Sequence, residues 1–114
     1  MPETGSMWTH AFGAHAAHAR EARTWAASRL AHEDAAQLAG ELFIAVLATQ
    51  PSKVTMTVST AGIRARIAAT GDQEMCRLSI HSPGGGIVRA LATSYGTTPD
   101  DRGLWAEVNL DRTT

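Results

Sequence analysis

Gly84, Gly85 and Gly86 stand just ahead of one amphipathic stretch, and an acid, Glu41, stands inside another. A glycine run before a helix can cradle a phosphate on backbone N–H groups. A helical acid can serve as a general base. Each also has a plainer reading: the triplet as a flexible turn leading into its helix, and Glu41 as an acid on a helix's exposed side. The plainer reading is preferred for Glu41. If an anion binds anywhere, the triplet is the first place to look.

Other chemistry-bearing residues are scattered. His15 and His18 are three apart on an expected helix, with His10 and His32 elsewhere. Zinc would need a third ligand and supporting partners, so solvated histidines are expected and no metal site is assigned. Cys76 has only Arg77 as a basic neighbour and no evident His base, which argues against a nucleophile. Trp8, Trp25 and Trp105 could anchor an interface. Trp25 falls in a helix's inner stripe and is expected in the core. Trp105 faces away from its strand's apolar set and is the best candidate for contact with the helices or with a dimer mate. Arg64 and Arg66 share one strand face; they read first as solvated residues, or, against acids on another chain, as selectors of a partner.

The elements that would carry these residues follow from periodicity. Trp8 to Phe12 suggests a short strand broken at Gly13. Helix formers dominate from Ala16 to Ala31, with Ala22, Trp25, Ala26 and Leu30 at helical spacing. A second helix is predicted from Glu33 to Ala48, its inner stripe Ala35, Leu38, Leu42, Ala45, Val46 and Thr49, stopped by Pro51. Val54, Met56 and Val58 then alternate with polar residues, as do Ile63, Ala65 and Ile67 after the turn at Ala61-Gly62, which predicts a hairpin. Cys76, Leu78 and Ile80 suggest another short strand. Ile87, Val88, Leu91 and Tyr95 predict a third helix ended by Gly96. Leu104, Ala106, Val108 and Leu110 alternate as a last strand. The fold class is α+β: a two-layer sandwich whose mixed, mostly antiparallel sheet is covered on one face by about three helices. Residues 1–7 are expected to be a mobile N-terminal segment and residues 8–112 a single domain.

With 114 residues the chain can bury roughly two-thirds of its unfolded surface. Alanine supplies much of its apolar content, so the elements should pack closely. A formal net charge of −1 gives no electrostatic case for nucleic acid. The lone Cys76 excludes an internal disulfide. No apolar run reaches the roughly 20 residues that span a bilayer, and the N-terminus lacks a secretory pattern, so a cytoplasmic protein without membrane contact is expected. Pro2-Glu3-Thr4-Gly5 matches the core of a cell-wall sorting signal but lacks its context and receives no weight.

Taken in order, Phe12-Gly13, Ala19-Arg20-Glu21-Ala22-Arg23, Glu41-Leu42, Gly84-Gly85-Gly86-Ile87-Val88-Arg89 with Tyr95-Gly96, and Leu104-Trp105-Ala106-Glu107-Val108 resemble the anti-sigma-factor serine kinases of the Bergerat (GHKL, HATPase) superfamily. The likeness runs from about Phe12 to Leu110. It implies that Glu41 occupies the general-base position and that Gly71, Gly84, Gly85 and Gly86 fall in the two glycine-rich turns around a nucleotide's phosphates. The same likeness exposes departures. The magnesium-ligating Asn position holds Ala45, the adenine-binding Asp position falls near Ala69, and only Asp72 to His81 is available for the lid. Each lost hydrogen bond to a buried polar ligand group costs about 1–3 kcal/mol. The expectation is therefore a degenerate member with a vestigial Glu41, no cofactor and little or no ATP binding. It would act by protein–protein contact with a sigma factor or an anti-anti-sigma protein, as a homodimer. The alternative is an active ATP- and magnesium-dependent kinase with a shortened lid and a shifted Asp72.

Overall fold

The computed structural model describes residues 5–75 and 83–110. In chain order it contains β1 (Gly5–Gly13), a 3-10 turn (Ala16–His18), α1 (Ala19–Arg29), α2 (Ala35–Leu47), β2 (Lys53–Ala61), β3 (Arg64–Thr70), α3 (Pro83–Leu91), β4 (Ser94–Thr97) and β5 (Gly103–Asn109). The strands form one sheet in the order β1-β2-β3-β5-β4. Among the described residues all four pairings are antiparallel, with no parallel pair to make the sheet mixed. The helix pair returns the chain to the end of the sheet where β1 stopped, since Gly13 lies opposite Lys53. The result is an α+β, two-layer arrangement.

Alternation in the strands decides which face is covered. Val54, Met56 and Val58 of β2, Ala65, Ile67 and Ala69 of β3, and Leu104, Ala106 and Val108 of β5 are all buried. The register lines them up, with Val58 opposite Ile67 and Ile67 opposite Ala106. Leu38, Leu42, Phe43 and Val46 of α2 complete this core, and Phe43 meets Phe12 edge-on at 6.1 Å. The other face carries Thr55, Thr57, Arg66, Ala68, Trp105 and Glu107. None of these is buried.

Small residues let the first two helices approach. Ala22 and Ala26 of α1 and Ala35 and Ala39 of α2 are buried, and a Cβ at Gly40 would stand 2.8 Å from Arg23 Cδ. Ala45, expected in α2's inner stripe, is only half-buried. Beyond α2, Gln50 takes a left-handed φ of 59° before the buried Pro51. The β2–β3 loop is two residues long, with Gly62 at φ 62° in its first position, where primed hairpin turns need positive φ.

Four expectations need correction. β1 begins at Gly5, not Trp8, because it pairs with β2 as far as Ala61. The predicted first helix opens as a 3-10 turn and ends at Arg29, with Leu30 extended. Gly84–Gly86 are not a turn before α3; they lie in it, behind Pro83, whose missing N–H costs nothing at a helix start. Tyr95 and Gly96 do not extend or stop α3. They lie in β4, opposite Ala106 and Trp105, a strand that periodicity did not reveal. The expected strand at Cys76, Leu78 and Ile80 lies outside the described residues.

Candidate functional site

The positions assigned to a nucleotide come from three places in the chain: Glu41 from α2, Gly71 from the end of β3, and Gly84, Gly85 and Gly86 from α3. Glu41 is half-buried and lines a groove with Arg23, Glu33, Ala36 and Gln37, between α1 and α2. That groove contains neither Gly71 nor Gly86. Gly71 follows β3, and a Cβ there would lie 2.8 Å from Pro51 Cβ and 3.1 Å from Val46 Cγ1. Val46 is five residues beyond Glu41, or about 7.5 Å along the helix axis. Packing against Val46 and Pro51 is therefore enough to require a glycine at position 71. Its N–H is already used, donating to the Arg102 carbonyl at 2.9 Å. A Cβ on Gly86 would meet nothing within 4 Å.

The positions of the expected ligand residues are equally informative. Ala69 is fully buried on the covered face of β3, opposite Met56 and Leu104. A carboxylate there would enter the apolar core, at a large desolvation cost. Asp72, the shifted candidate, is tied to the loop before β2: Ser52 donates its N–H to Oδ1 at 3.0 Å and its hydroxyl to Oδ2 at 2.6 Å. The Ser52 hydroxyl first, then the Ser52 N–H, hold this carboxyl below its ordinary 3.8.

The four described histidines serve local structure. His15 Nδ1 accepts from the Ala17 N–H at 3.2 Å and caps the 3-10 turn. His18 Nδ1 lies 2.9 Å from Glu21 Oε1. His32 Nδ1 accepts from the Asp34 N–H, and His10 packs on Phe12 and Trp25. Among the described residues no three His, Cys, Asp or Glu side chains converge as metal ligands would. Cys76 lies outside the described residues.

On the uncovered sheet face, by contrast, the candidate interface residues are brought together. Arg66 and Glu107 are direct cross-strand partners. Arg66 donates from Nε at 3.1 Å and from Nη2 at 2.8 Å to Glu107 Oε2. Its guanidinium also lies 4.0 Å from the centroid of the Trp105 ring. Such an exposed contact contributes about 0.5–1 kcal/mol. The indole passes over Gly96, where a Cβ would come within 3.0 Å of Cζ2, and its Nε1 donates to the Thr97 carbonyl at 3.0 Å. Ser94 donates its hydroxyl to the second oxygen of Glu107 at 3.3 Å.

Trp105 is thus only half-buried, and it does not contact the helices. It lies on the sheet face turned away from them, because it shares that face with Ala68 and Arg66. Arg64 is exposed and lines a shallow depression with Ser59, Thr60, Ala61, Arg66 and Glu107. It has no ion-pair partner among the described residues. Sequence reasoning left out Glu107, Ser94 and Thr97. The alternation of β5 did put Glu107 on the face of Trp105, but nothing in the sequence signalled the β4 partners.

No family model matches this chain, and neither does any curated protein sequence. No described helix is long and apolar enough to cross a membrane.

Proposed function

We propose that this chain is a catalytically inactive, cytoplasmic regulatory protein of the anti-sigma-factor type, which works as a homodimer by holding a protein partner rather than by phosphorylating one. The carrying observation is the ordered Arg66–Trp105–Glu107 cluster on a sheet face that none of the described helices covers. An aromatic ring held flat by a cation and a backbone acceptor has little side-chain freedom left to lose on docking, and Trp and Arg are the residue types that dominate binding energy. Arg64 beside it has no ion-pair partner among the described residues, so the partner expected is an acidic protein surface, on a sigma factor or on an anti-anti-sigma protein.

Two further observations support the degenerate reading. Strand, two helices, hairpin, helix and closing strand follow one another as expected, apart from the inserted β4. The residues at its ligand positions, Ala45 and Ala69, carry no oxygen, and Asp72 has both carboxylate oxygens engaged by Ser52.

Thermal unfolding with and without magnesium and ATP tests the first half. Ligand at 100 times its dissociation constant adds about 2.7 kcal/mol of stability, and no shift is expected. Calorimetric binding of magnesium-ATP in the micromolar range sinks the inactive reading. Affinity capture of the native protein's partner tests the second half. The captured protein should be a transcription regulator lost on substitution of Arg64→Glu with Arg66→Glu; retention by that variant removes the uncovered face as the docking site.

A further inference from the structure

The two edges of the sheet are built differently. β4 is four residues long, and Pro99 follows it closely. A short strand followed by proline is a common way to keep an edge from pairing. β1, the opposite edge, is nine residues long and pairs with β2 position for position, without a bulge. Seven of its nine residues are exposed, and it contains no proline, lysine, arginine or acid. Among the described residues β1 pairs with β2 alone. An unguarded edge of this length presents a row of outward N–H and C=O groups, a ready template for another strand.

We infer that β1 is a strand-pairing site, and that its occupant is β1 of a second copy of this chain, antiparallel about a two-fold axis at Thr9. This rests on the homodimer part of the proposed function and names its surface. The occupant follows from the sequence of the strand itself. Pairing about Thr9 sets Trp8 opposite His10 of the second copy, twice, on the covered face, where Trp8 is only half-buried and His10 is exposed. On the uncovered face it sets Met7, 69% exposed, opposite Ala11, and Gly5 opposite Gly13. No like charges meet anywhere along the ladder, whereas aromatic pairs across strands are stabilising. The two sheets merge into one, with both helix layers on the same side and both Trp105 faces open to partners on the other.

Sedimentation over a concentration series, on the wild type and on Thr9→Lys, tests this. Thr9 points out of the uncovered face, 3.5 Å from the Thr57 hydroxyl. A lysine there keeps its own fold but faces its copy across the axis. The expected result is a wild-type dimer whose dissociation constant rises about fivefold or more in Thr9→Lys and likewise in Thr9→Glu, with tight association restored when the two variants are mixed. Backbone hydrogen exchange in β1 should also slow as wild-type concentration rises. A wild type that stays monomeric throughout overturns both this proposal and the homodimer. A dimer indifferent to Thr9→Lys, or β1 amides whose exchange ignores concentration, overturns the β1 assignment and leaves the homodimer standing.

Discussion

Arg66 donates both of its Glu107 hydrogen bonds to a single carboxylate oxygen, Oε2, while Ser94 occupies the other oxygen. The arrangement spans three adjacent strands, β3, β5 and β4, on the sheet face that the helices leave open. Its strength is limited by water: the side chains of Arg66 and Glu107 are 45% and 20% exposed. A double-mutant cycle of Arg66→Ala and Glu107→Ala, read by urea unfolding, should therefore give a coupling of about 0.2–1 kcal/mol that shrinks as salt is added. The cluster orders a surface far more than it stabilises the fold.

Two glycines should respond in opposite directions. A Cβ at Gly103 would collide with the Ala69 carbonyl oxygen and stand 2.5 Å from Thr70 Cγ2, and backbone cannot move aside cheaply. Gly103→Ala is expected to cost about 1–3 kcal/mol or more. Gly86 is helical with open space beside it, so Gly86→Ala should stabilise by up to about 1 kcal/mol through helix propensity. A loss of stability at Gly86→Ala, measured by thermal unfolding, would contradict the helical placement of the triplet.

Adjacent α2 residues should differ sharply. Phe43 is fully buried against Phe12, whereas Ile44 is 43% exposed. Denaturant unfolding should show Phe43→Ala losing about 3–5 kcal/mol and Ile44→Ala changing stability by about 0.5 kcal/mol or less.

Asp72 gives a pH dependence with a definite sign. Its carboxyl is held below 3.8, chiefly by the Ser52 hydroxyl and then by the Ser52 N–H, so the folded state favours the ionised form. The stabilisation is fully present above the unfolded value and is lost as pH falls through the lowered folded value. Asp72→Asn should therefore be less stable than wild type at neutral pH, and the gap should close below about pH 4. The carboxyl carbon of Asp72, followed by NMR, should titrate with a midpoint below 3.8.

Local pattern was enough for much of the architecture. Alternation marked β2, β3 and β5, because a strand with one covered face must repeat every two residues. Helical spacing of Ala22, Ala26 and Leu30, and of Leu38, Leu42 and Val46, marked the covering layer. Alternation also grouped Trp105 with Glu107, but a period of two says which residues share a face and never which face another layer will cover. That is why the sequence leaves Trp105 open to contact with the helices or with a dimer mate, whereas in the structure it stacks beneath Arg66 and does not reach the helices. Tyr95 and Gly96 fitted a helix by spacing, yet pairing with Ala106 and Trp105 makes them a strand. Asp72 meets Ser52 from 20 residues away, a contact that no window of sequence contains. Composition, periodicity and turn chemistry thus determined most of the elements, because those depend on neighbours along the chain. Only the tertiary structure decided the exposed face, the paired edges and the side chains that meet on them, because these depend on neighbours in space.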